Sequence, residues 1–321
     1  METLSIGVDL GGTNARAAAV GADGRIRAQA RERIANDRRP ESVVAAVARL
    51  IATVAGREAG TGAALPPIGV GVAGQVRLGS GVVARGPNLG WSEVDLGSLL
   101  AAAVGRPVSV FNDVEAIAWG EARFGAARGC ADVLVVFAGT GIGAGIISQG
   151  RIVRGGSGVA AEIGHLKVVP HGLPCGCGGR GCLEAYAGGE NLSRRLRQAA
   201  QGGWPELLEA AGGNEAAIHP GLADRLAREG DPRAVEIMGA AADHLGLTLA
   251  NAATLINPSR LVMGGTVWLH CPWLARRAEE KMRSFILPVA GEALSLANSQ
   301  LGDEAGILGA AALAREGAPS F

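Results

Sequence analysis

The sequence predicts a two-domain α/β protein, and three observations predict it. The chain has 321 residues, more than a single hydrophobic core accommodates, so two domains of roughly 100–200 residues each are expected. Apolar strand-like runs that end in glycine alternate with helical patterns along the chain. A glycine-turned strand pair occurs twice, as GVDLGGTNARAAAV and as VFAGTGIGAGIIS, so two similar halves facing each other are expected.

Taken in order, LSIGVDL and NARAAAV flank a turn at Gly11 and Gly12, GADGR gives a second turn, and ESVVAAVARLIATVA has helical spacing with Pro40 just ahead of it. EAGTGAALPP reads as a surface connection. PPIGVGVAG is a buried strand ending in glycine. PVSVFND is another, and its polar end opens onto the helical pattern VEAIAWGEARFG, starting near Glu115. Ligands of open α/β sheets bind beyond the C-terminal ends of strands, so that end is placed for a site. A second strand, turn and strand follows at VLVVFAGTGIGAGIISQGRIV. From about residue 188 the chain is largely helical, with a long helix through PRAVEIMGAAADHLGLTLANAATLI. RLVMGG is a buried strand, CPWLARRAEEKMRSF a helix, LSLANSQ a short strand and GILGAAALAREG a final helix.

Composition excludes several classes. Apolar residues make up 48% and charged residues 19%, and no apolar run approaches the roughly 18 residues that span a bilayer. METLSIGVDL has no basic segment ahead of an apolar one and does not read as a secretory signal, so a cytoplasmic location is expected. Thirty basic residues balance thirty acidic ones, which leaves no field for nucleic acid or an anionic membrane. Lys167 and Lys281 are the only lysines. A compositional bias explains that economy, and any phosphate site must then rely on backbone amides, arginine and metal.

Three segments carry candidate chemistry besides the cysteines. In DLGGTNAR, Gly11 and Gly12 permit a turn whose N–H groups converge on an anion, Thr13 and Asn14 add donors, and Asp9 can orient a hydrated divalent cation. A plain hairpin with glycines at positive φ explains the same residues. In AGTGIGAG, Gly139, Thr140, Gly141 and Gly143 form a second phosphate cradle. Gly139, Gly141 and Ala144 also fit the loose dinucleotide pattern, but that pattern needs a helix next, and AGIISQGRIVRGG reads as strand, turn, strand. In FNDVE, Asn112 and Asp113 end a strand, and a carboxylate there can take a proton from an attacking hydroxyl. Capping the following helix is the simpler role for either residue.

The segment CGCGGRGC places Cys175, Cys177 and Cys182 within eight residues. Three thiolates and an imidazole make a closed tetrahedral zinc site, and the glycines let the backbone wind around the ion. A redox function favours a C-x-x-C pair instead. Cys130 and Cys271 read as small buried apolar residues. Spacing leaves the imidazole open between His165 and His171. Glu162 lies three residues before His165 and Glu184 two after Cys182, so a site using His165 would set two carboxylates beside one ring, a set suited to sugar hydroxyls. His219, His244 and His270 default to surface or cap roles.

Together GVDLGGTNAR, NDVEAIAWGEARFG, GTGIGAGII, GVAAEIGH, CGCGGRGCLEAYAGG and RLVMGG, in this order, resemble the ROK sugar kinases, and within them the bacterial glucokinases. The resemblance implies an actin-like, RNase H-like ATPase fold of two α/β domains with an interdomain active-site cleft. Residues 1–113 with 304–321 are the expected smaller domain, and residues 114–303, with the zinc loop, the larger. It implies phosphorylation of a hexose at its 6-hydroxyl by ATP and Mg²⁺, glucose first. Kinases for N-acetylglucosamine, N-acetylmannosamine, mannose or fructose, or a polyphosphate donor, keep the same fold.

Asp113 then matches the catalytic base, and Asn112, Glu162, His165 and Glu184 match sugar ligands, with Gly74 as a backbone contact. His165, Cys175, Cys177 and Cys182 match the ligands of a structural Zn²⁺. Asp9, Gly12, Thr13, Thr140 and Gly141 match phosphate and Mg²⁺ contacts, and Gly264 and Gly265 lie where adenosine packs. A homodimer or homotetramer is expected on the same ground. The family also includes sugar-responsive repressors with a DNA-binding module ahead of the first phosphate strand. Here that strand begins within ten residues of Met1, so a sensor acting without DNA is the expected non-enzymatic alternative.

Overall fold

The computed structural model describes residues 3–34, 37–58 and 65–317. The expected connection EAGTGAALPP falls mostly outside them. The chain forms two compact units: Met1–Val133, Gly145–Ala161 and Ser299–Phe321 make the first, and Leu134–Ala144 with Glu162–Asn298 make the second.

Up to the first crossing the order is β1 (Leu4–Leu10), β2 (Asn14–Gly21), β3 (Ile26–Arg33), α1 (Pro40–Glu58), β4 (Ile68–Val72), β5 (Gln75–Val76), β6 (Val82–Gly86), β7 (Trp91–Asp95), α2 (Leu96–Val104), β8 (Val108–Asn112) and α3 (Asp113–Phe124). Then come β9 (Val133–Ala138), β10 (Ile142–Ser148), β11 (Arg151–Ile152), α4 (Leu183–Ala187), α5 (Gly189–Gln201), α6 (Pro205–Ala210), α7 (Pro220–Glu229) and α8 (Pro232–Ile256). The chain ends with β12 (Arg260–Gly264), α9 (Thr266–His270), α10 (Pro272–Phe285), α11 (Pro288–Ala293), β13 (Ser295–Asn298) and α12 (Ala305–Glu316).

In the first unit the sheet runs β3-β2-β1-β4-β8. β1 pairs antiparallel with β2 and parallel with β4. Ile6, Val8 and Leu10 on one face and Ser5 and Gly7 on the other are all buried, as a strand covered on both faces requires. Val43, Val47, Leu50, Ile51 and Val54 of α1 pack into the same core as Ile6, Val8, Val70 and Val72. Each such side chain contributes roughly 1.5–3 kcal/mol of transfer free energy. α12 approaches closely enough to need bare backbone beneath it. A Cβ on Gly7 would lie 2.0 Å from the Ile307 carbonyl oxygen, and one on Gly69 would lie 2.1 Å from that of Ala310.

One buried charge is fully bonded. Glu121 of α3 is 0% exposed. Its carboxylate accepts from the Ser299 hydroxyl at 2.5 Å, from the Gln300 and Leu301 N–H groups at 3.1 Å each, and from Ala126 at 2.8 Å. Buried charges persist only when their acceptor positions are filled this way.

The second sheet has the order β11-β10-β9-β12-β13, with β12 parallel to β13. The long helix expected from the sequence is α8. Asp231 caps it by accepting from the Ala234 N–H at 2.8 Å, and Asn257 ends it in the left-handed region at φ 51°. Between residues 153 and 182 the only helix is a single 3₁₀ turn, Ile163–His165. No helix among the described residues is long and apolar enough to cross a membrane.

Candidate active site

The first glycine turn joins β1 to β2. Gly11 N–H donates to the Asn14 carbonyl at 3.0 Å. Neither Gly11 nor Gly12 has positive φ, so a turn conformation is not what requires them. Gly12 is required by close approach, because a Cβ there would lie 2.7 Å from the Asn88 carbonyl oxygen. Asp9 and Arg16 face each other across the strand pair. Arg16 Nη2 donates to Asp9 Oδ2 at 2.6 Å, with both side chains about a quarter exposed. A Cβ on Gly306, in the first turn of α12, would approach the Asp9 carboxyl carbon at 3.6 Å, so Asp9 sits near a helix N-terminus that favours anions.

At the end of β8 the two expected residues divide their roles. Asn112 has extended backbone, and its Oδ1 accepts from the Val114 and Glu115 N–H groups at 2.9 and 3.1 Å. It caps α3, which therefore begins at Asp113 and not near Glu115. Its Nδ2 donates to the Gly74 carbonyl at 2.9 Å. Asp113 stands at the first helical position, and its Oδ1 accepts from the Val114 N–H at 3.0 Å. Glu115 turns elsewhere, to an ion pair with Arg154 at 2.9 Å through Nε. That pair lines a cavity of about 730 Å³ beside β8 and the β5–β6 turn, which contains none of the residues singled out from the sequence.

The second glycine turn lies between β9 and β10. A strand, not a helix, follows it, so the dinucleotide pattern at Gly139, Gly141 and Ala144 is accidental. Gly139 N–H donates to the Gly141 carbonyl at 2.9 Å, the N–H groups of Gly189 and Glu190 donate to the carbonyls of Gly139 and Thr140 at 2.8 and 3.0 Å, and Gly143 lies within β10. Gly265 has φ 87° and a Cβ on it would meet the Ala138 carbonyl at 2.5 Å, while one on Gly264 would meet the Phe137 ring at 2.5 Å. A cavity of about 470 Å³ opens here, lined by Thr140, Glu190, Ser193, His219, Thr266 and His270 among others. His219 and His270 are exposed at the rim of this cavity, and His219 stands at the N-cap position of α7, in keeping with the surface or cap roles expected of them. No sequence pattern marks them.

The four expected zinc ligands come together. One ligand atom from each of His165, Cys175, Cys177 and Cys182 lies within 4.8 Å of all the others. Cys177 Sγ is 3.7 Å from Cys182 Sγ, and His165 Nδ1 is 3.7 Å from Cys175 Sγ. Zn–S bonds of about 2.3 Å and Zn–N bonds of about 2.0–2.1 Å give a tetrahedron with edges of about 3.6–3.8 Å, so the donor set fits zinc. His171 is not in the group. The winding uses glycine where only glycine fits: Gly181 has φ 77°, and a Cβ on it would lie 1.8 Å from the Val169 carbonyl oxygen. Burial pushes the Cys175 thiol up to about 12. Cys177 is held below its ordinary value, against burial, by the Gly179 N–H. A bound divalent cation keeps all three sulfurs ionised.

With His165 Nδ1 turned to the thiols, its Nε2 lies 3.8 Å from Glu162 Oε2. Glu184 Oε2 accepts from the Ile142 N–H at 3.0 Å, and its Oε1 lies 3.8 Å from Cys175 Sγ. The second unit thus gathers an imidazole and two carboxylates beside the metal cluster and the second glycine turn. Two supports were not foreseen. Tyr186 Oη accepts from the Leu173 N–H at 2.8 Å, tying the loop to α4. Lys167 Nζ donates to the Cys182 sulfur at 3.0 Å.

The ROK family model matches residues 5–317. The chain is 37% identical to the glucokinase of Streptomyces coelicolor, over 98% of this chain and 99% of that protein. It is 35% identical to the glucokinase of Thermotoga maritima over 97% of each. Among solved structures, a ROK family glucokinase from Streptomyces griseus in complex with glucose and AMPPNP superposes with a TM-score of 0.80 at 37% identity, over 98% of this chain and 99% of that one.

Proposed function

The chain belongs to the ROK family, and from that premise we propose that it transfers the γ-phosphoryl group of ATP to the 6-hydroxyl of a hexose, with glucose as the substrate. The observation that carries this reading is Asp113. It stands at the first position of α3, directly after the apolar strand end that Asn112 closes and caps, with its Oδ1 accepting from the Val114 N–H at 3.0 Å, and a carboxylate at such a strand end is the residue type that takes a proton from an attacking hydroxyl.

In the reaction Asp113 accepts the proton of the sugar hydroxyl as that oxygen bonds to the γ-phosphorus. The bond from the γ-phosphorus to the bridging oxygen breaks, and ADP and the sugar 6-phosphate leave. Such catalysis is mostly positioning and electrostatics. Asn112, Glu162, His165 and Glu184, with the Gly74 backbone, are offered to sugar hydroxyls. Gly11, Gly12, Thr13, Asn14, Thr140, Gly141 and Gly143 are offered to phosphate oxygens. Asp9 would hold Mg²⁺, which would supply charge neutralisation for the transferred group. The 470 Å³ cavity lined by Thr140 and by Thr266, the residue after Gly264 and Gly265, is within the range of small-ligand pockets and suits the nucleoside of ATP. Zn²⁺ on His165, Cys175, Cys177 and Cys182 is structural, fixing the ring of His165. The reading includes a homodimer or homotetramer, and a cytoplasmic location, where clustered thiols stay reduced.

The test is a coupled assay of ADP release from ATP and Mg²⁺ across glucose, mannose, fructose, N-acetylglucosamine and N-acetylmannosamine. Preference for glucose is the expected result. Preference for another sugar moves the substrate within the family. Absence of turnover with every sugar, in zinc-loaded protein that binds one, overturns the ATP-dependent reading in favour of another phosphoryl donor or a sensor.

A further inference from the structure

Three thiolates, a neutral imidazole and a divalent ion leave the zinc site with one net negative charge. Cys182, whose sulfur is one of the three, is 0% exposed, and an uncompensated charge beside a buried group is costly. The loop has two cations of its own. Arg180 is engaged away from the sulfurs, with its Nε 3.4 Å from the His171 carbonyl oxygen. Lys167 is the other. Its ammonium donates to Cys182 Sγ at 3.0 Å and to the His165 carbonyl oxygen at 3.0 Å. It therefore bridges two of the four ligand residues.

An exposed lysine usually gains little from an ion pair, because the long side chain loses freedom in making it. Here the backbone has already placed the residue. Lys167 and Cys182 form an antiparallel bridge, with Val168 N–H donating to the Gly181 carbonyl at 2.8 Å and Leu183 N–H to the Leu166 carbonyl at 2.9 Å. Residues 166–168 thus lie alongside residues 181–183, and the stem starts opposite the sulfur that it reaches. The glycines of the loop leave room for the head: a Cβ on Gly179 would come within 3.4 Å of Lys167 Nζ.

We propose that Lys167 is the charge partner of the metal site, a positioning residue whose ammonium neutralises the zinc–thiolate cluster at Cys182 and whose second bond holds His165 in place. The inference depends on the metal cluster and not on which sugar is phosphorylated. Groups that act on metal ligands from behind commonly change metal affinity 10–100-fold.

The experiment compares native protein with Lys167→Met, Lys167→Gln and Lys167→Arg. Zinc affinity is read by competition with a chromophoric chelator, and the thiolate-to-metal charge-transfer band is read after cobalt substitution. The expected result is about tenfold weaker zinc binding in Lys167→Met, a charge-transfer band moved to lower energy, and recovery of both in Lys167→Arg. A merely structural lysine would leave the band in place. If Lys167→Met cannot be loaded, weakened affinity in Lys167→Gln with recovery in Lys167→Arg supports the same conclusion. Affinities within twofold of native and an unmoved band across the loadable variants would overturn it.

Discussion

Glu184 holds the backbone of Ile142: its Oε2 accepts the Ile142 N–H at 3.0 Å. Cys182 stands at the N-terminal boundary of α4, Glu184 sits two residues later, and Ile142 opens β10 directly after the second glycine turn. The loop carrying the cysteines and the second glycine turn are thereby joined through one carboxylate. The contact also explains Gly141, where a Cβ would lie 2.4 Å from Glu184 Oε2. A hydrogen bond to a charged group contributes about 1.5–3 kcal/mol, or roughly 10–100-fold. Glu184→Ala should therefore lower kcat/KM for the sugar by at least that factor and also raise KM for ATP. Gly141→Ala, whose Cβ would displace that carboxylate, should raise KM for ATP and also weaken sugar binding measured by calorimetry. An unchanged KM for ATP in both variants would show that the carboxylate serves the sugar alone.

Asp113→Asn should reduce kcat by roughly 10²–10⁴, the usual contribution of a positioned base, and leave the sugar Kd within a few-fold. The cap of α3 is Asn112 and not Asp113, so the variant should unfold at nearly the native temperature. Substantial residual turnover would remove Asp113 from the role of base. Asn112→Ala should behave differently. It loses the cap and the 2.9 Å bond to the Gly74 carbonyl, which costs about 1–2 kcal/mol of stability along with sugar affinity.

Cys177→Ser should abolish equimolar zinc and weaken sugar binding. The sheets and long helices do not depend on the ion, so the far-ultraviolet circular dichroism should be largely kept. Elemental analysis and sugar titration check both statements. Full sugar affinity in metal-free protein would separate the cluster from the sugar site.

Much of this was legible in the sequence because short-range rules govern it. The alternation of strands and helices follows from apolar period and from glycine, and the end of β8 was recognisable from Asn112 and Asp113 closing an apolar run. The reason for a glycine was less legible. Gly12 looks like a turn residue, yet its φ is ordinary and the Asn88 carbonyl is what excludes a side chain. His171 is nearer to Cys175 in sequence than His165 is, but the Leu183–Leu166 pairing folds the loop so that His165 meets the thiols. His219 and His270 reach the 470 Å³ cavity from the start of α7 and the end of α9, a meeting that depends on tertiary packing and leaves no periodic trace.

Gly7 of β1 should tolerate no side chain. A Cβ there would overlap the Ile307 carbonyl at 2.0 Å, so α12 would have to lift from the sheet. Gly7→Ala should cost about 1–3 kcal/mol, the usual range for overpacking. Denaturant unfolding would show it as a lower midpoint with an unchanged slope. A midpoint equal to native would mean that α12 shifts freely.

His244 of α8 supplies a pH dependence. Its ring meets that of Tyr186 edge-on, with centroids 4.9 Å apart, and Tyr186 in turn holds the Leu173 N–H of the metal loop at 2.8 Å. Burial lowers its pKa from the ordinary 6.5; neighbouring Asp243 opposes the shift and Arg195 adds to it. The unfolded chain therefore binds this proton more readily than the folded one, and stability must rise with pH across the interval between the two values. The contribution is complete above pH 6.5 and is lost as pH falls below it toward the depressed folded value. Melting temperatures of native protein and His244→Gln, compared between about pH 8 and pH 5.5, should diverge toward the acid end, with the native protein losing more because it alone carries a histidine here. Other acid-sensitive groups, the metal thiolates included, act on both proteins alike, so parallel curves would assign the whole acid response to them and none to His244.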